Sequence, residues 1–229
     1  MPARGFFVAG TDTHIGKTLV AAALLHAYAG LGHRVLGMKP VAAGAEWIDG
    51  AWVNEDVAML RAASNVPAAP ELLNPYLFRE AIAPHIAADH KGARIEIPRI
   101  RAAYDELAAR ADVVLVEGVG GLLVPLSARK DAADLAVALG LPLILVVGMR
   151  LGCINHALLT AEAIAARGLK LAGWVANRVD PAMAAYDENL AALSHRLPTP
   201  LLAELPYMAS PDPLRAAHFL SPQKLTAIL

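Results

Sequence analysis

The run Gly10-Thr11-Asp12-Thr13-His14-Ile15-Gly16-Lys17-Thr18 gathers two glycines, a lysine and hydroxyl side chains between an apolar stretch, Phe6 to Ala9, and a segment of helical spacing. Strand, glycine loop, Lys-Thr and helix, in that order, make a cradle for phosphate. Glycines let backbone N–H groups turn inward, and the helix adds its positive end. Lys17 is then placed to neutralise the outer phosphates and the Thr18 hydroxyl to ligate Mg2+. Counted from Gly10, the loop is one residue longer than the common G-x-x-x-x-G-K-[ST] form, so it is a variant. A glycine turn with an exposed lysine is the bland alternative.

Four more positions carry usable chemistry. Lys39 closes the apolar run Val35 to Met38 and is one of six lysines in the chain. A charge at the end of a buried strand must find an anion or water, which suits a phosphate or a substrate anion. Glu117 ends Asp112 to Val116 and precedes Gly118-Val119-Gly120-Gly121, the pattern of a strand-end acid that approaches Mg2+ directly or through water. Asp56 sits at the start of a short helical stretch, where an acid also serves simply as a partner of the helix dipole. Asn177 follows Trp174-Val175-Ala176 and offers both a donor and an acceptor, as reading a purine edge requires; a turn residue would look the same. The turn Gly148 to Asn155 could form a carboxylate nest at a helix start or merely join strand to helix. Cys153 reads as a small packed residue, and His85 and His156 as packed or surface histidines.

These residues need elements to hold them. Apolar runs at Phe6–Ala9, Val35–Met38, Val113–Val116, Leu143–Val147, Leu171–Ala176 and Leu201–Leu205 mostly lack alternation, which suits strands buried on both faces. Helical spacing over Lys17–Ala29, Arg99–Arg110, Ala132–Leu139, Ile154–Arg167 and Ala182–Leu193 falls between them. The alternation predicts an α/β fold of three layers, α/β/α, around a mostly parallel central sheet, as a single domain over 1–229, and the glycine loop after its first run makes the expected fold P-loop NTPase-like. In such a sheet the strand ends share one edge, so the candidates converge in space. The segment 65–98 holds five of the 16 prolines and is expected to be an inserted stretch of loop and short helix over one edge.

Composition narrows the function. Of 229 residues, 56% are hydrophobic and 18% charged, enough to bury a large core and to exclude disorder. The net charge of -1 gives no global attraction to nucleic acid or anionic lipid, so any anion must be met locally. One cysteine excludes an intrachain disulfide, and the expectation is a cytoplasmic protein with no membrane span and no leader. No metalloprotease or nucleophile-elbow motif is present.

In this order, Gly10-Thr11-Asp12-Thr13 with Gly16-Lys17-Thr18, Lys39-Pro40-Val41-Ala42, Val116-Glu117-Gly118, Leu151-Gly152-Cys153-Ile154-Asn155-His156-Ala157 and Gly173-Trp174-Val175-Ala176-Asn177 resemble the dethiobiotin synthetase family, from Phe6 to about Tyr207. The resemblance implies a homodimeric, ATP-dependent ligase that joins CO2 to 7,8-diaminopelargonic acid and closes a cyclic urea. It implies ATP and Mg2+, with Thr18, Asp56 and Glu117 around the metal. Lys17, Lys39 and Thr13 would be catalytic. Asp12, Thr13, His14, Ile15, Gly16, Lys17, Thr18, Gly118, Val119 and Gly120 would hold the phosphates; Asn177, Arg178, Pro206, Tyr207 and Met208 would lie on the adenine side. Ala43, with Gly152, Cys153, Ile154 and Asn155 from the partner subunit, would bind the substrate.

The family pattern is not kept everywhere. His14 replaces an acid found in other members, Ala43 a hydroxyl residue and Arg178 an acid; losing the Ala43 hydroxyl removes a hydrogen bond of about 0.5–1.5 kcal/mol. The competing class, partition and cell-division switch ATPases, carries a lysine five places before Lys17, where this chain has Asp12.

Overall fold

A computed structural model describes residues 4–229. Six strands form one parallel sheet: β1 (Arg4–Gly10), β2 (Val35–Met38), β7 (Val113–Glu117), β8 (Leu143–Met149), β9 (Leu171–Arg178) and β10 (Leu201–Leu205), ordered β10-β9-β8-β1-β7-β2. Every residue of β2, β7 and β8 is buried, as continuous Val, Ile and Leu runs require when both faces are covered. Within each strand the side chains alternate between two cores. Phe7, Ala9, Leu36, Met38, Val114 and Val116 face one layer of helices. Phe6, Val8, Val35, Val113, Leu115, Ile144 and Val146 face the other.

The second of these cores is roofed mainly by α1 (Lys17–Gly30), whose Leu19 to Leu25 are all buried. The first is covered by α5 (Ile97–Ala108) and α6 (Ala132–Leu139). A third cluster of Leu145, Val147, Trp174 and Ala176 lies under α7 (Cys153–Ala166) and α8 (Tyr186–Arg196). The three-layer α/β/α arrangement expected from the alternating runs is therefore the one observed. Among the described residues no helix is long and apolar enough to cross a membrane.

Several elements depart from the sequence reading. The stretch between Lys39 and Asp56 holds β3 (Val41–Ala43) and an antiparallel hairpin, β4 (Glu46–Ile48) with β5 (Ala51–Val53), which pairs Trp47 with Trp52 at a ring-centroid distance of 5.2 Å. Helix α2 (Glu55–Ala63) follows at once. The segment 65–98 does contain short helices, α3 (Pro70–Leu73) and α4 (Pro84–His90), and adds β6 (Tyr76–Phe78), which pairs in parallel with β3. Helix α8 starts at Tyr186 and not at Ala182, because Ala185 takes a left-handed φ of 52° that breaks the helical path. Two further helices, α9 (Pro213–Ala217) and α10 (Pro222–Ile228), close the chain onto the α1 side.

Candidate active site

The sheet delivers its chemistry at one rim. The phosphate-type loop follows β1, Lys39 follows β2, Glu117 is the last residue of β7, and Asn177 lies at the end of β9. Two of these strands flank a third: β7 sits between β1 and β2, so Glu117 stands between the loop and Lys39.

Lys39 is the most enclosed cation. Its ammonium lies 2.5 Å from Glu117 Oε1 and 2.8 Å from Asp56 Oδ2, and 3.3 Å from the Gly118 carbonyl. Its backbone is fixed from α3: the Lys39 N–H donates to the Leu73 carbonyl at 2.8 Å, and the Asn74 amide donates to the Lys39 carbonyl at 2.6 Å. Burial alone would lower the lysine pKa, but the Glu117 and Asp56 charges outweigh it and hold Lys39 above the usual range. Lys17 has no carboxylate in contact. Burial, assisted by the nearby Lys39 charge, pulls it down to about 8. Its ammonium donates to the Asp12 carbonyl at 2.6 Å.

Asp56 reaches this cluster because of a helix cap. The Asn54 side chain accepts from the Val57 N–H at 3.3 Å and donates to the Gly44 carbonyl at 2.8 Å, which ties the start of α2 to the end of β3. The Thr18 hydroxyl then lies 2.6 Å from Asp56 Oδ1 and 2.9 Å from Glu117 Oε1, donating its single proton to one of them at a time. Burial pushes the Glu117 carboxyl above the usual range in spite of Lys39. Burial acts on Asp56 in the same sense, but Lys39 and the Thr18 hydroxyl hold it below the ordinary value.

Glu117 Oε2 is buried with no hydrogen-bond partner, an orphaned acceptor beside two other hard oxygen donors. Among the described residues no three acidic, histidine or cysteine side chains come together, so a closed protein cage for a cation is absent. Two carboxylates and one hydroxyl that leave positions open are what Mg2+ accepts when phosphate and water complete its shell. The donor set therefore fits the ion.

The loop is closed by its own geometry. Gly16 caps α1 at φ 83°, and a Cβ there would lie 2.2 Å from Asn177 Nδ2. That amide donates to the Ile15 carbonyl at 2.8 Å, so one of its two donors already braces the loop. Thr13 and His14 are exposed, Asp12 half-buried, and His14 adopts φ 55°. On the other side, a Cβ at Gly120 would lie 2.7 Å from Val124 Cγ2 and 3.6 Å from Thr13 Oγ1, which places Gly118-Val119-Gly120 against the loop.

The remaining candidates separate into groups. Arg178 turns toward α8, with its guanidinium 4.6 Å from the Tyr186 ring centroid and a hydrogen bond of 3.2 Å to the Pro181 carbonyl. Pro206 and Met208 are half-buried after β10, and Tyr207 is exposed. Ala43 is half-buried at the end of β3. In the turn after β8, Gly152 caps α7 at φ 94°, and the Cys153 N–H donates back to the Arg150 carbonyl at 3.0 Å. Ile154 and Asn155 occupy the first turn, where helix geometry supplies their amides no intrahelical acceptor. Burial pushes the Cys153 thiol up, as for a packed residue and not a nucleophile. Arg150, passed over in the sequence, pairs with Asp12. Two cavities, of about 310 and 480 Å3, lie near Asn65 and near Trp52 and are lined by none of the rim side chains.

A family model described as an AAA domain matches residues 4–214. The ATP-dependent dethiobiotin synthetase BioD of Aromatoleum aromaticum is 63% identical over 217 residues, 95% of this chain and 96% of that protein. The same enzyme from Nitrosospira multiformis is 56% identical over 209 residues, 91% of each. Among solved structures, the cell division ATPase MinD of Pyrococcus furiosus superposes with a TM-score of 0.62 at 17% identity, covering 99% of this chain and 100% of that one. The signal recognition particle receptor FtsY of Elizabethkingia anophelis gives 0.55 at 13% identity; this chain spans 63% of its length. At such identities the likeness to both is one of fold alone.

Proposed function

The chain belongs to the family of ATP-dependent dethiobiotin synthetases, and from that premise we propose that it carboxylates 7,8-diaminopelargonic acid with CO2 and closes the ring of dethiobiotin, with ATP converted to ADP and phosphate. One amine of the substrate adds to CO2 and gives up a proton, forming a carbamate. A carbamate oxygen attacks the γ-phosphorus of ATP and ADP departs, leaving a carbamic-phosphoric anhydride. The second amine attacks the carbonyl carbon, phosphate leaves with the former carbamate oxygen, and loss of a proton completes the cyclic urea.

The observation that carries this reading is the pair of buried lysines on one rim. Two anions, carbamate and triphosphate, must approach each other, and their repulsion has to be met by fixed positive charge in a place that excludes water. Lys17 faces the loop and Lys39 faces the carboxylates, 7% and 4% exposed. Lys17 holds the outer phosphates, Lys39 meets charge that develops between phosphorus and the carbamate oxygen, and Thr13 lies on the exposed edge of the loop beside Gly120. Thr18, Asp56 and Glu117 would hold Mg2+, which would supply further positive charge against the phosphates. Asn177, with its remaining donor and its acceptor, contacts the adenine together with the Pro206 to Met208 segment, and Arg178 flanks it from the Tyr186 side.

The substrate carboxylate is received by the amides at the start of α7. Since Cys153 is engaged with Arg150, Ile154 and Asn155 carry most of that role. Leu151, 92% exposed, lies in that turn and Leu159, 57% exposed, farther along α7, apolar side chains suited to a second copy of the chain. This supports a homodimer in which each subunit completes the site of the other.

The test is product analysis. Purified protein with ATP, Mg2+, bicarbonate and the diamine is expected to release ADP in step with the cyclic urea. Equal ATP turnover with and without the diamine would point to a switch ATPase instead.

A further inference from the structure

Asp12 sets a carboxylate inside the loop that receives phosphates, where a negative charge opposes the ligand. Its side chain is paired with the Arg150 guanidinium, which arrives from the turn between β8 and α7, 138 positions along the chain. The rest of Asp12 is engaged as well. Its carbonyl accepts the Lys17 ammonium at 2.6 Å and its Oδ1 accepts the Thr13 N–H at 2.8 Å. Arg150 is anchored in turn by its own carbonyl, which accepts the Cys153 N–H at 3.0 Å. Both side chains are about two-fifths exposed, 43% and 42%, so the pair remains within reach of the solvent through which a nucleotide must enter.

We propose that Arg150 is a positioning residue for nucleotide binding. It cancels the charge of Asp12 and fixes the Asp12 peptide that holds Lys17, so that the loop presents a net positive field to a triphosphate. The physical reason is short-range: an uncancelled unit charge closer to the phosphates than a Debye length repels them before salt can screen it, and its effect scales with ligand charge. The inference rests on the loop binding ATP, as in the reading above.

Binding of ATP and of ADP is to be measured at low and high salt for the wild type, Arg150→Ala, Arg150→Lys and the double variant Arg150→Ala with Asp12→Asn. Arg150→Ala is expected to weaken ATP about tenfold and ADP about threefold at low salt, the gap shrinking as salt screens it. Arg150→Lys keeps the charge and stays within about threefold of the wild type. The double variant, with the offending charge removed, returns to a similar range. A double variant as weak as Arg150→Ala would overturn the proposal, because the arginine would then touch the ligand or prop the fold directly. Urea midpoints recorded alongside are expected to be unchanged in Arg150→Ala, as for any exposed pair. Where that midpoint falls, recovery of affinity in the double variant still upholds the proposal and its absence overturns it. ATP binding by the wild type with Arg150→Ala equal to it removes Arg150 alone. A wild type that fails to bind ATP overturns the loop assignment and this proposal with it.

Discussion

Replacing Lys39 by methionine keeps the length and apolar stem of the side chain and deletes the charge between two carboxylates. The structure assigns the consequences unequally. Asp56 is 41% exposed in its side chain and can recover water, whereas Glu117 is 1% exposed and cannot. Breaking one partner of a buried ion pair costs about 3–5 kcal/mol, and here most of it falls on Glu117. The acid has one escape, which is to take up a proton. Its folded pKa already lies above the ordinary value through burial, and losing Lys39 removes the main influence lowering it. The sign follows from linkage: a carboxyl raised in the folded state favours folding at low pH and loses that contribution as pH rises toward the folded pKa. The destabilisation of Lys39→Met relative to the wild type is therefore expected to be under about 1.5 kcal/mol near pH 5. It then grows by up to about 1.4 kcal/mol per pH unit and levels off at about 3 kcal/mol or more. Urea unfolding from about pH 5 to about pH 8 measures it. Adding Glu117→Gln removes the titrating group and is expected to flatten the profile. A difference that stays below about 1 kcal/mol, or that does not change with pH, refutes the reasoning. In the same variant phosphoryl transfer is expected to fall by about 10²- to 10³-fold while nucleotide binding stays within about threefold.

Gly16→Ala forces a left-handed φ of 83° on a residue with a side chain and drives its Cβ to 2.2 Å from Asn177 Nδ2. The bond from Asn177 to the Ile15 carbonyl must break, a loss of about 2–4 kcal/mol by thermal unfolding, with at least about tenfold weaker nucleotide binding. Lys17, held at about 8, is partly neutral in the free protein near that pH. A polyanion raises its pKa, so binding takes up protons and nucleotide affinity falls as pH rises through about 8; calorimetry in buffers of different ionisation enthalpy reads the uptake, and Lys17→Met should abolish it.

What the sequence disclosed and what it withheld divide along the range of the interactions. Lys39, Glu117 and Asn177 are legible because each follows an apolar run, and parallel strands bring such ends to one rim without any further knowledge of the fold. Asp56 is not legible in that way. It enters the cluster through the Asn54 cap and the short β3 strand, and composition gives no sign of either; its place at a helix start suits a dipole partner equally well, and the family resemblance is what singles it out for the metal. Arg150 was invisible because its partner lies 138 residues away. The hairpin 46–53 escaped because Glu46, Trp47 and Ile48 are all exposed, leaving no buried face and hence no alternation to read. The start of α8 was set four residues too early by helical spacing that continues through Ala182 to Ala184, where a single left-handed residue decides the matter.

The order of strands also governs how the molecule is made. β1 stands inside the sheet with β7 and β8 on either side, yet Val8 meets Glu117 only after about a hundred intervening residues have been added. During synthesis the strand that carries the phosphate loop emerges early, apolar on both faces, and has no neighbour to pair with until half the polypeptide has left the ribosome. Such long-range pairing slows folding and exposes a sticky edge in the meantime. Variants of β7 or β8 are thus expected to lower the yield of soluble protein more than equally buried changes in α9 or α10, which join a sheet already assembled.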